Sequence, residues 1–210
     1  MTPDEQDRAP ARRGRPLGTS PRAVELIAIR LFTEQGFEET TVEQIAAEAG
    51  ISRRTFFRYF ESKSAVLWYQ FDGEVERLRL AFSQVPDEVE LMDAIRQVVV
   101  AANVYLAQDA PELRARMNLL GTAPGAQASA GPHYDAWERA VSEFAARRMG
   151  QPADGLYPLA IGRATLAVCR AAFDRWVISA DSDLTVYLDL ALRALSAGFA
   201  PAAAEAGAQR

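Results

Sequence analysis

Cysteine and histidine each occur once in 210 residues, as Cys169 and His133. A single cysteine excludes an intramolecular disulfide and any site built from several cysteines. A single histidine leaves no second ligand for a metal or partner for a nucleophile, and the chain has no glycine-rich phosphate loop. We therefore expect no metal site, no cofactor and no enzymatic activity. Cys169 lies in an apolar segment and is interpreted as a small core residue, because a redox sensor needs an exposed, electropositive site.

Long apolar runs are also missing. No stretch approaches the roughly 20 residues that a membrane-spanning helix needs, and the N-terminal M-T-P-D-E-Q-D-R-A-P lacks the apolar centre of a secretory signal. Apolar residues make up 49% of the chain and charged residues 24%, which is ordinary for a globular protein with a sizeable core. These features predict a cytoplasmic protein with no membrane partner.

The net charge of −5 is distributed unevenly. Residues 1–64 hold ten basic and ten acidic side chains, which leaves 13 of the 23 basic and 18 of the 28 acidic residues downstream. Residues 8–22 contain five arginines and no acid. Such a local basic patch suits phosphate binding. Residues 1–19 have no apolar periodicity and should form a disordered basic arm; Arg15 in R-R-G-R-P-L-G would lie along DNA, or the arm is simply solvated.

Helix-capping signals follow one another between residues 20 and 60. Ser20, followed by proline, predicts the start of a first helix. Thr41 and Gln44 form a capping box for a second helix, and Gly50 suits a left-handed turn. Ser52 caps a third helix. Two short helices joined by a glycine turn are typical of the helix-turn-helix motif.

The third helix has an unusual outer face. Its outward side chains are Arg53, Arg54, Thr55, Phe57 and Arg58. A purely structural helix rarely exposes an aromatic residue together with three arginines, so we predict a DNA-recognition helix. The alternative is an ordinary pair of packed helices.

Residues 28–67 carry the resemblance to a known family: A-I-R-L-F-T-E-Q-G-F-E-E-T-T-V-E-Q-I-A-A-E-A-G-I-S-R-R-T-F-F-R-Y-F-E-S-K-S-A-V-L. This block resembles the TetR/AcrR family of transcriptional regulators at nearly every signature position. The resemblance implies an all-α fold with a helix-turn-helix DNA-binding domain at residues 20–66. A ligand-binding and dimerisation domain would follow at 67–200, before a flexible tail at 201–210. Phe57 departs from the pattern, since the family most often has tyrosine there.

The resemblance also implies roles on DNA. Thr41 would donate a hydrogen bond to a phosphate, and Tyr59 and Lys63 would hold the DNA backbone. Arg53, Arg54 and Thr55 would face base edges in the major groove. The full predicted DNA-contacting set is Arg15, Thr41, Ser52, Arg53, Arg54, Thr55, Phe57, Arg58, Tyr59 and Lys63.

The remaining chain predicts further helices and a ligand cavity. Residues 63–85, 88–108, 111–120, 134–149, 156–178 and 184–199 read as helices, with Leu106 facing inward, a break at Pro158, and Ser182 or Asp183 capping the last helix. Apolar and aromatic side chains could line a cavity, although such residues more often form a core. The predicted ligand-binding set is Trp68, Tyr105, Arg114, Met117, Leu120, Trp137, Phe144, Cys169 and Phe173.

A second, weaker resemblance runs through R-A-R-M-N-L-L and Y-D-A-W-E-R-A-V-S-E-F-A-A-R-R-M-G. These segments are similar to the C-terminal domain of mycofactocin-system regulators of the same family. The resemblance implies an acyl-CoA-like ligand whose phosphate meets Arg114 or Arg116; alternatively, both arginines are ordinary surface residues.

The last two helices are more apolar than one inward stripe requires, which predicts a homodimer. The predicted interface residues are Val168, Ala172, Trp176, Leu188, Leu192 and Leu195.

Together these features predict a repressor released from a pseudo-palindromic double-stranded operator by a small apolar or acyl-CoA-like effector. The alternatives are an all-α binding protein or enzyme without DNA binding, and a constitutive DNA-binding protein without an effector.

Overall fold

The computed structural model describes residues 20–179 and 183–198. Within these ranges all regular secondary structure is helical, as the predicted all-α class requires. The predicted arm with Arg15, the tail 201–210, Ser182 and Phe199 lie outside the described residues. The helices are α1 (Pro21–Gln35), α2 (Val42–Glu48), α3 (Arg53–Tyr59), α4 (Ala65–Ser83), α5 (Leu91–Ala102), α6 (Ala110–Thr122), α7 (Pro124–Ala128), α8 (Gly131–Met149), α9 (Leu156–Ile178) and α10 (Leu184–Ser196).

The first three helices, which we call the head, begin where the capping signals predict. The Ser20 hydroxyl accepts a hydrogen bond from the Ala23 amide at 3.2 Å, and Thr41 and Gln44 form the full capping box. Gly50 has φ +64°, a left-handed conformation that residues with a Cβ adopt only at a cost. The helix-turn-helix geometry is therefore set by local signals in the sequence.

The core of the head extends into the rest of the chain. Phe56 of α3 is fully buried, and the same apolar cluster includes Leu67 and Trp68 of α4 and Leu119 of α6. Helix α6 also packs directly on α1. A movement of α4 or α6 would therefore be felt in the head. The predicted boundary between residues 66 and 67 stays a prediction.

Helices α4, α5, α8, α9 and α10 surround a second core. Phe82 of α4 and Phe144 of α8 stack in it with their ring centroids 4.4 Å apart. Helices α8 and α9 approach closely at Gly162, where a Cβ would come within 2.7 Å of the Glu138 carbonyl oxygen. This close contact fixes the spacing of the two helices.

Several predicted helix limits were wrong. Helix α5 ends at Ala102, so Leu106 lies beyond it and is 65% exposed instead of facing inward. Helix α9 is not broken at Pro158, because this proline lies in the first turn, where an amide has no intrahelical partner anyway. Gly73 of α4 has only the end of the Arg77 side chain near it, so close helix packing does not explain it. None of the described helices is long and apolar enough to cross a membrane.

Candidate nucleic-acid interface and ligand cavity

Helix α3 presents two different faces. Phe56 anchors its inner face in the head core with no exposed surface. On the outer face Arg53, Arg54 and Arg58 are exposed, and Phe57 is 44% exposed. The predicted division of the helix into an anchor and a reading surface is consistent with this geometry.

Two of the three exposed arginines, Arg53 and Arg58, already have partners on the protein. Arg53 Nη1 lies 3.2 Å from Glu43 Oε1 of α2, and its guanidinium lies 5.4 Å from the centre of the Phe57 ring. Arg58 lies 5.2 Å from the ring centre of Tyr59. Aromatic rings next to arginines hold the guanidinium groups in place while leaving their N–H donors available. Phe57 supports Arg53 in this way, a role its sequence position did not reveal.

The hydroxyl groups of the head serve as helix caps. Thr41 Oγ1 donates to Gln44 Oε1 at 3.0 Å and accepts from the Gln44 amide at 3.2 Å. Ser52 Oγ accepts from the Thr55 amide at 3.0 Å and lies 2.9 Å from the Thr55 hydroxyl. These side chains are thus held at helix N-termini, where amide groups favour an anion. That they contact DNA stays a prediction.

Lys63 is placed differently from our expectation. Its ammonium group donates to the carbonyl oxygens of Phe37, of Glu38 at 3.3 Å and of Thr40 at 3.0 Å. It also lies 4.3 Å from the centre of the Phe37 ring. Because an ammonium group has three hydrogens, these carbonyls use its whole donor capacity. Lys63, just before α4, therefore ties the start of α4 to the turn between α1 and α2, and its contact with a phosphate stays a prediction.

A cavity of about 790 Å³ lies between α4, α5, α6, α8 and α9, next to α1. This volume is within the usual range for small-molecule sites. Most of the predicted ligand-binding residues line it: Trp68, Tyr105, Met117, Leu120, Trp137, Cys169 and Phe173. Burial raises the pKa of the Cys169 thiol to about 12, so this cysteine is a neutral part of the wall.

Two predicted cavity residues have other roles. The Arg114 guanidinium stacks 3.9 Å from the Trp176 ring centre and donates to carbonyl oxygens at the end of α9, that of Val177 at 3.5 Å and that of the C-cap residue Ser179 at 3.4 Å. It therefore caps α9, and the predicted contact with a ligand phosphate is wrong. Phe144 is buried against Phe82 in the core and does not line the cavity.

The cavity also has a polar wall, of which the sequence indicated only Arg116, as the alternative to Arg114. Arg22 of α1, Glu74 of α4, and Glu112 and Arg116 of α6 all line it. Burial raises the pKa of Glu74, and burial together with Glu74 raises the pKa of Tyr105. No sequence signal brings these residues together, because Arg22 and Glu112 are 90 positions apart and meet only after folding.

The predicted dimer contacts are largely wrong. Leu188 and Leu192 of α10 and Ala172 and Trp176 of α9 are at most 4% exposed within one chain, so they form its own core. Val168 and Leu195 are partly buried. The amphipathic pattern was read with the wrong face outward, because both faces of these helices carry apolar residues. The large exposed apolar side chains of this region are Leu156, Tyr157, Ile178, Val186 and Leu190.

Comparison with known proteins agrees with this geometry. Residues 27–67 match the family described as "Bacterial regulatory proteins, tetR family", and residues 89–200 match the family described as "MftR C-terminal domain". The chain is 31% identical over 188 residues to a protein of Mycobacterium tuberculosis (strain ATCC 25618 / H37Rv) named for transcriptional regulation of mycofactocin biosynthesis, MftR. That match covers 90% of this chain and 95% of the relative.

Solved structures show the same fold. FadR from Bacillus subtilis, in complex with stearoyl-CoA, has a TM-score of 0.61 at 16% identity, over 82% of this chain and 95% of that one. FadR from Thermus thermophilus, in complex with lauroyl-CoA, has a TM-score of 0.53 at 24% identity, over 84% and 93%. A helix-turn-helix head, a helical domain around a cavity and matches along both parts of the chain lead to one conclusion: the protein belongs to the TetR family of bacterial transcriptional regulators.

Proposed function

We propose that this protein is a ligand-responsive repressor that binds a pseudo-palindromic operator as a homodimer and leaves it when an effector fills the cavity. The observation that carries the proposal is the outer face of α3, where three exposed arginines surround the half-exposed Phe57 while Phe56 is anchored in the head core. An exposed basic helix on a rigid base is the arrangement that inserts into a major groove.

The side chains on this face divide by their chemistry. Arg53, Arg54 and Thr55 face the base edges, where an arginine can form the bidentate contact to guanine. Ser52, Thr41, Arg58 and Tyr59 surround them and meet the phosphate backbone or sugar, which fixes the register of the head on DNA. Phe57 makes an apolar contact, for example with a thymine methyl group.

The homodimer would form through the outer surfaces of α9 and α10. Leu156, Tyr157 and Ile178 on α9 are 61–78% exposed, and Val186 and Leu190 on α10 are 47% and 61% exposed. Between the two ends of α9 the exposed residues include Ala160, Ala167 and Ala171, which would allow another helix to approach closely. Regulators of this family dimerise. Two copies would place their recognition helices in successive major grooves, about 34–36 Å apart.

The effector would be a small apolar or acyl-CoA-like molecule. The cavity wall is mainly apolar and aromatic, and its volume of about 790 Å³ suits an extended acyl chain better than a whole coenzyme. The FadR structures from Bacillus subtilis and Thermus thermophilus hold stearoyl-CoA and lauroyl-CoA in the same fold. The relationship to MftR supports the same class of regulator.

The route from cavity to head runs through α4. Leu67 and Trp68 line the cavity and also belong to the apolar core of the head. A ligand that displaces them would move the head, and a change in head separation would mismatch the operator. The shift in DNA affinity can be no larger than the difference in ligand affinity between the two arrangements.

The proposal is tested by fluorescence anisotropy with DNA from the region upstream of the gene, at several salt concentrations. We expect salt-dependent binding by the wild type, loss of base discrimination worth about 1–3 kcal/mol for Arg53→Ala or Arg54→Ala, and release by lauroyl-CoA. Arg139→Ala, which removes an exposed arginine from α8, is the matched control. Duplex binding that neither arginine substitution changes would overturn the assignment of the reading surface.

A further inference from the structure

Four charged side chains form a compact cluster where α1 of the head meets α6. Arg22 Nη1 lies 2.7 Å from Glu25 Oε2 and 2.7 Å from Glu112 Oε1, and Arg22 Nη2 donates to the second oxygen of Glu112. Arg116 Nη2 lies 2.7 Å from Glu112 Oε1 and 2.7 Å from Glu25 Oε1. We call these four residues the quartet. Arg22 and Glu25 lie on α1 of the head, and Glu112 and Arg116 lie on α6.

The charges of the quartet balance, and its inner pair, Glu25 and Arg116, is buried, whereas the side chains of Arg22 and Glu112 are 35% and 19% exposed. Glu25 is fully buried and Arg116 is 6% exposed, and two carboxylates face two guanidinium groups. An arrangement of this kind tolerates no additional charge, because a buried ion without its own partner is strongly destabilising.

Hydrogen bonding in the quartet is nevertheless incomplete. Among the described residues, Arg116 Nε and Glu25 Oε1 are the buried side-chain atoms without a hydrogen-bond partner. Glu25 Oε1 lies within ion-pair distance of Arg116 but lacks the alignment of a hydrogen bond. Buried polar groups almost always have a partner, so a buried N–H donor without one, on a side chain that lines the cavity, indicates a place for one.

The position of the quartet connects this donor to the cavity. Arg22, Glu112 and Arg116 all line the cavity, and Arg116 Nη1 also donates to the Leu67 carbonyl oxygen of α4 at 3.3 Å. Arg116 therefore contacts α1, α4 and the cavity at once. It can sense an occupant of the cavity and act on the head through Glu25.

We propose that the quartet is the polar subsite of the cavity and that Arg116 binds an uncharged oxygen of the effector, such as a carbonyl or hydroxyl group. This inference rests on the proposed function, since it assigns part of the effector site. A neutral acceptor satisfies the free Nε donor without disturbing the charge balance. An anionic group would compete with Glu25 and Glu112 for the two arginines and leave a buried carboxylate unpaired.

Binding of such an oxygen also acts on the head. A hydrogen bond to Nε reorients the guanidinium plane, whose Nη2 holds Glu25 on α1 and Glu112 on α6. Filling the subsite therefore changes the contact between the head and the cavity wall. Arg116 and Glu25 determine both which ligand group is accepted and how its presence reaches α1.

The chemical preference can be tested on the unaltered protein. Decan-1-ol and decanoate have the same chain and differ in charge at neutral pH, and Trp68 and Trp137 in the cavity wall report binding by their fluorescence. We expect decan-1-ol to bind about tenfold more tightly than decanoate, the size of effect that one unpaired buried polar group produces. Equal binding, tighter binding of decanoate, or no binding of either probe would overturn the subsite.

The role of the quartet is tested with Glu25→Leu/Arg116→Met, which removes one buried charge of each sign and so avoids an unpaired ion. Arg96→Met/Asp189→Leu is the matched control, because it removes a 2.6 Å ion pair between α5 and α10, away from the cavity and the head. We expect the alcohol-to-carboxylate preference to fall to about twofold or less in the first variant only.

The same variants separate this inference from the proposed function. The measured quantity is the ratio of DNA dissociation constants with and without decan-1-ol. The ratio should fall to about one in Glu25→Leu/Arg116→Met and stay at the wild-type value in the control. A wild-type ratio retained by the quartet variant would overturn the coupling while leaving the proposed function intact. Absence of salt-dependent DNA binding by the wild type would instead refute the proposed function itself.

Discussion

Arg53 on α3 and Glu43 on α2 form an ion pair, with 3.2 Å between Nη1 and Oε1. Both side chains are more than half exposed, so the pair contributes little to stability. The pair nevertheless engages the guanidinium group of Arg53, which we assign to base reading. Glu43 therefore holds Arg53 ready in the free protein and competes with DNA for it.

Replacement of Glu43 should strengthen DNA binding. Glu43→Gln releases Arg53 and removes a negative charge near the phosphates, so we expect affinity to rise about two- to fivefold at low salt. Glu34→Gln is the control, because it breaks a similarly exposed pair with Arg30 on α1. Both variants are compared by anisotropy on the same duplex. An equal increase in DNA affinity in the two variants would show that removal of a negative charge, and not release of Arg53, causes the effect.

Lys63 should matter for stability more than for DNA affinity. Lys63→Met removes the donor shared by the Phe37, Glu38 and Thr40 carbonyl groups, so we expect the free energy of unfolding to fall by about 1–3 kcal/mol. Urea denaturation measures this, and the salt dependence of DNA binding should keep its slope. Unchanged stability together with a slope reduced by about one would instead support the phosphate contact that the family resemblance implies for Lys63.

Two helical glycines should respond in opposite directions to the same substitution. Gly162→Ala places a methyl group 2.3 Å from Ser142 Oγ and 2.7 Å from the Glu138 carbonyl oxygen, so it should destabilise the protein by about 1–3 kcal/mol. Gly73→Ala meets only Arg77 Nη1 at 3.6 Å and should stabilise it by about 0.5–1 kcal/mol. Thermal melts of both variants test the pair. A loss of stability in Gly73→Ala would mean that α4 needs the glycine for movement or a bend.

Glu74 should make stability depend on pH. Its pKa is raised by burial, so the folded protein binds this proton more tightly than the unfolded chain does. Stability is therefore lost as pH rises from about 4.5, the ordinary value, through the raised pKa of the folded state. The glutamine of Glu74→Gln does not ionise, so the stability of this variant relative to the wild type should increase as pH rises. Urea unfolding between pH 4.5 and 7.5 measures the difference, and a difference that does not vary with pH contradicts the prediction.

The outer surface of α10 should hold the dimer together. Leu190 is 61% exposed, and Leu190→Glu would bury a charge in the proposed interface and shift the protein to the monomer. Leu80→Glu is the control, because Leu80 on α4 is 64% exposed but lies outside that surface. Sedimentation velocity separates the two species. A dimer that survives Leu190→Glu places the interface elsewhere.

The sequence predicted the head better than the rest of the chain because its signals are local. Ser20, Thr41, Gly50 and Ser52 each act on neighbouring backbone groups, and each has the conformation that its residue type favours. The cavity lining was partly predictable, since aromatic residues in helices of one domain tend to converge. Arg114 was misassigned because the sequence does not reveal that its guanidinium meets the end of α9.

What the sequence by itself determined is the all-α class, the helix-turn-helix and the family, since capping, turn chemistry and helical periodicity act within a few residues. The tertiary structure alone decided which apolar face of α9 and α10 is inside, what Lys63 and Arg114 bind, and that Arg22 and Glu25 meet Glu112 and Arg116. These outcomes depend on contacts between residues far apart in the chain. Side-chain charge and apolarity alone do not specify such partners, because each of these groups has many possible ones until packing brings a particular pair together.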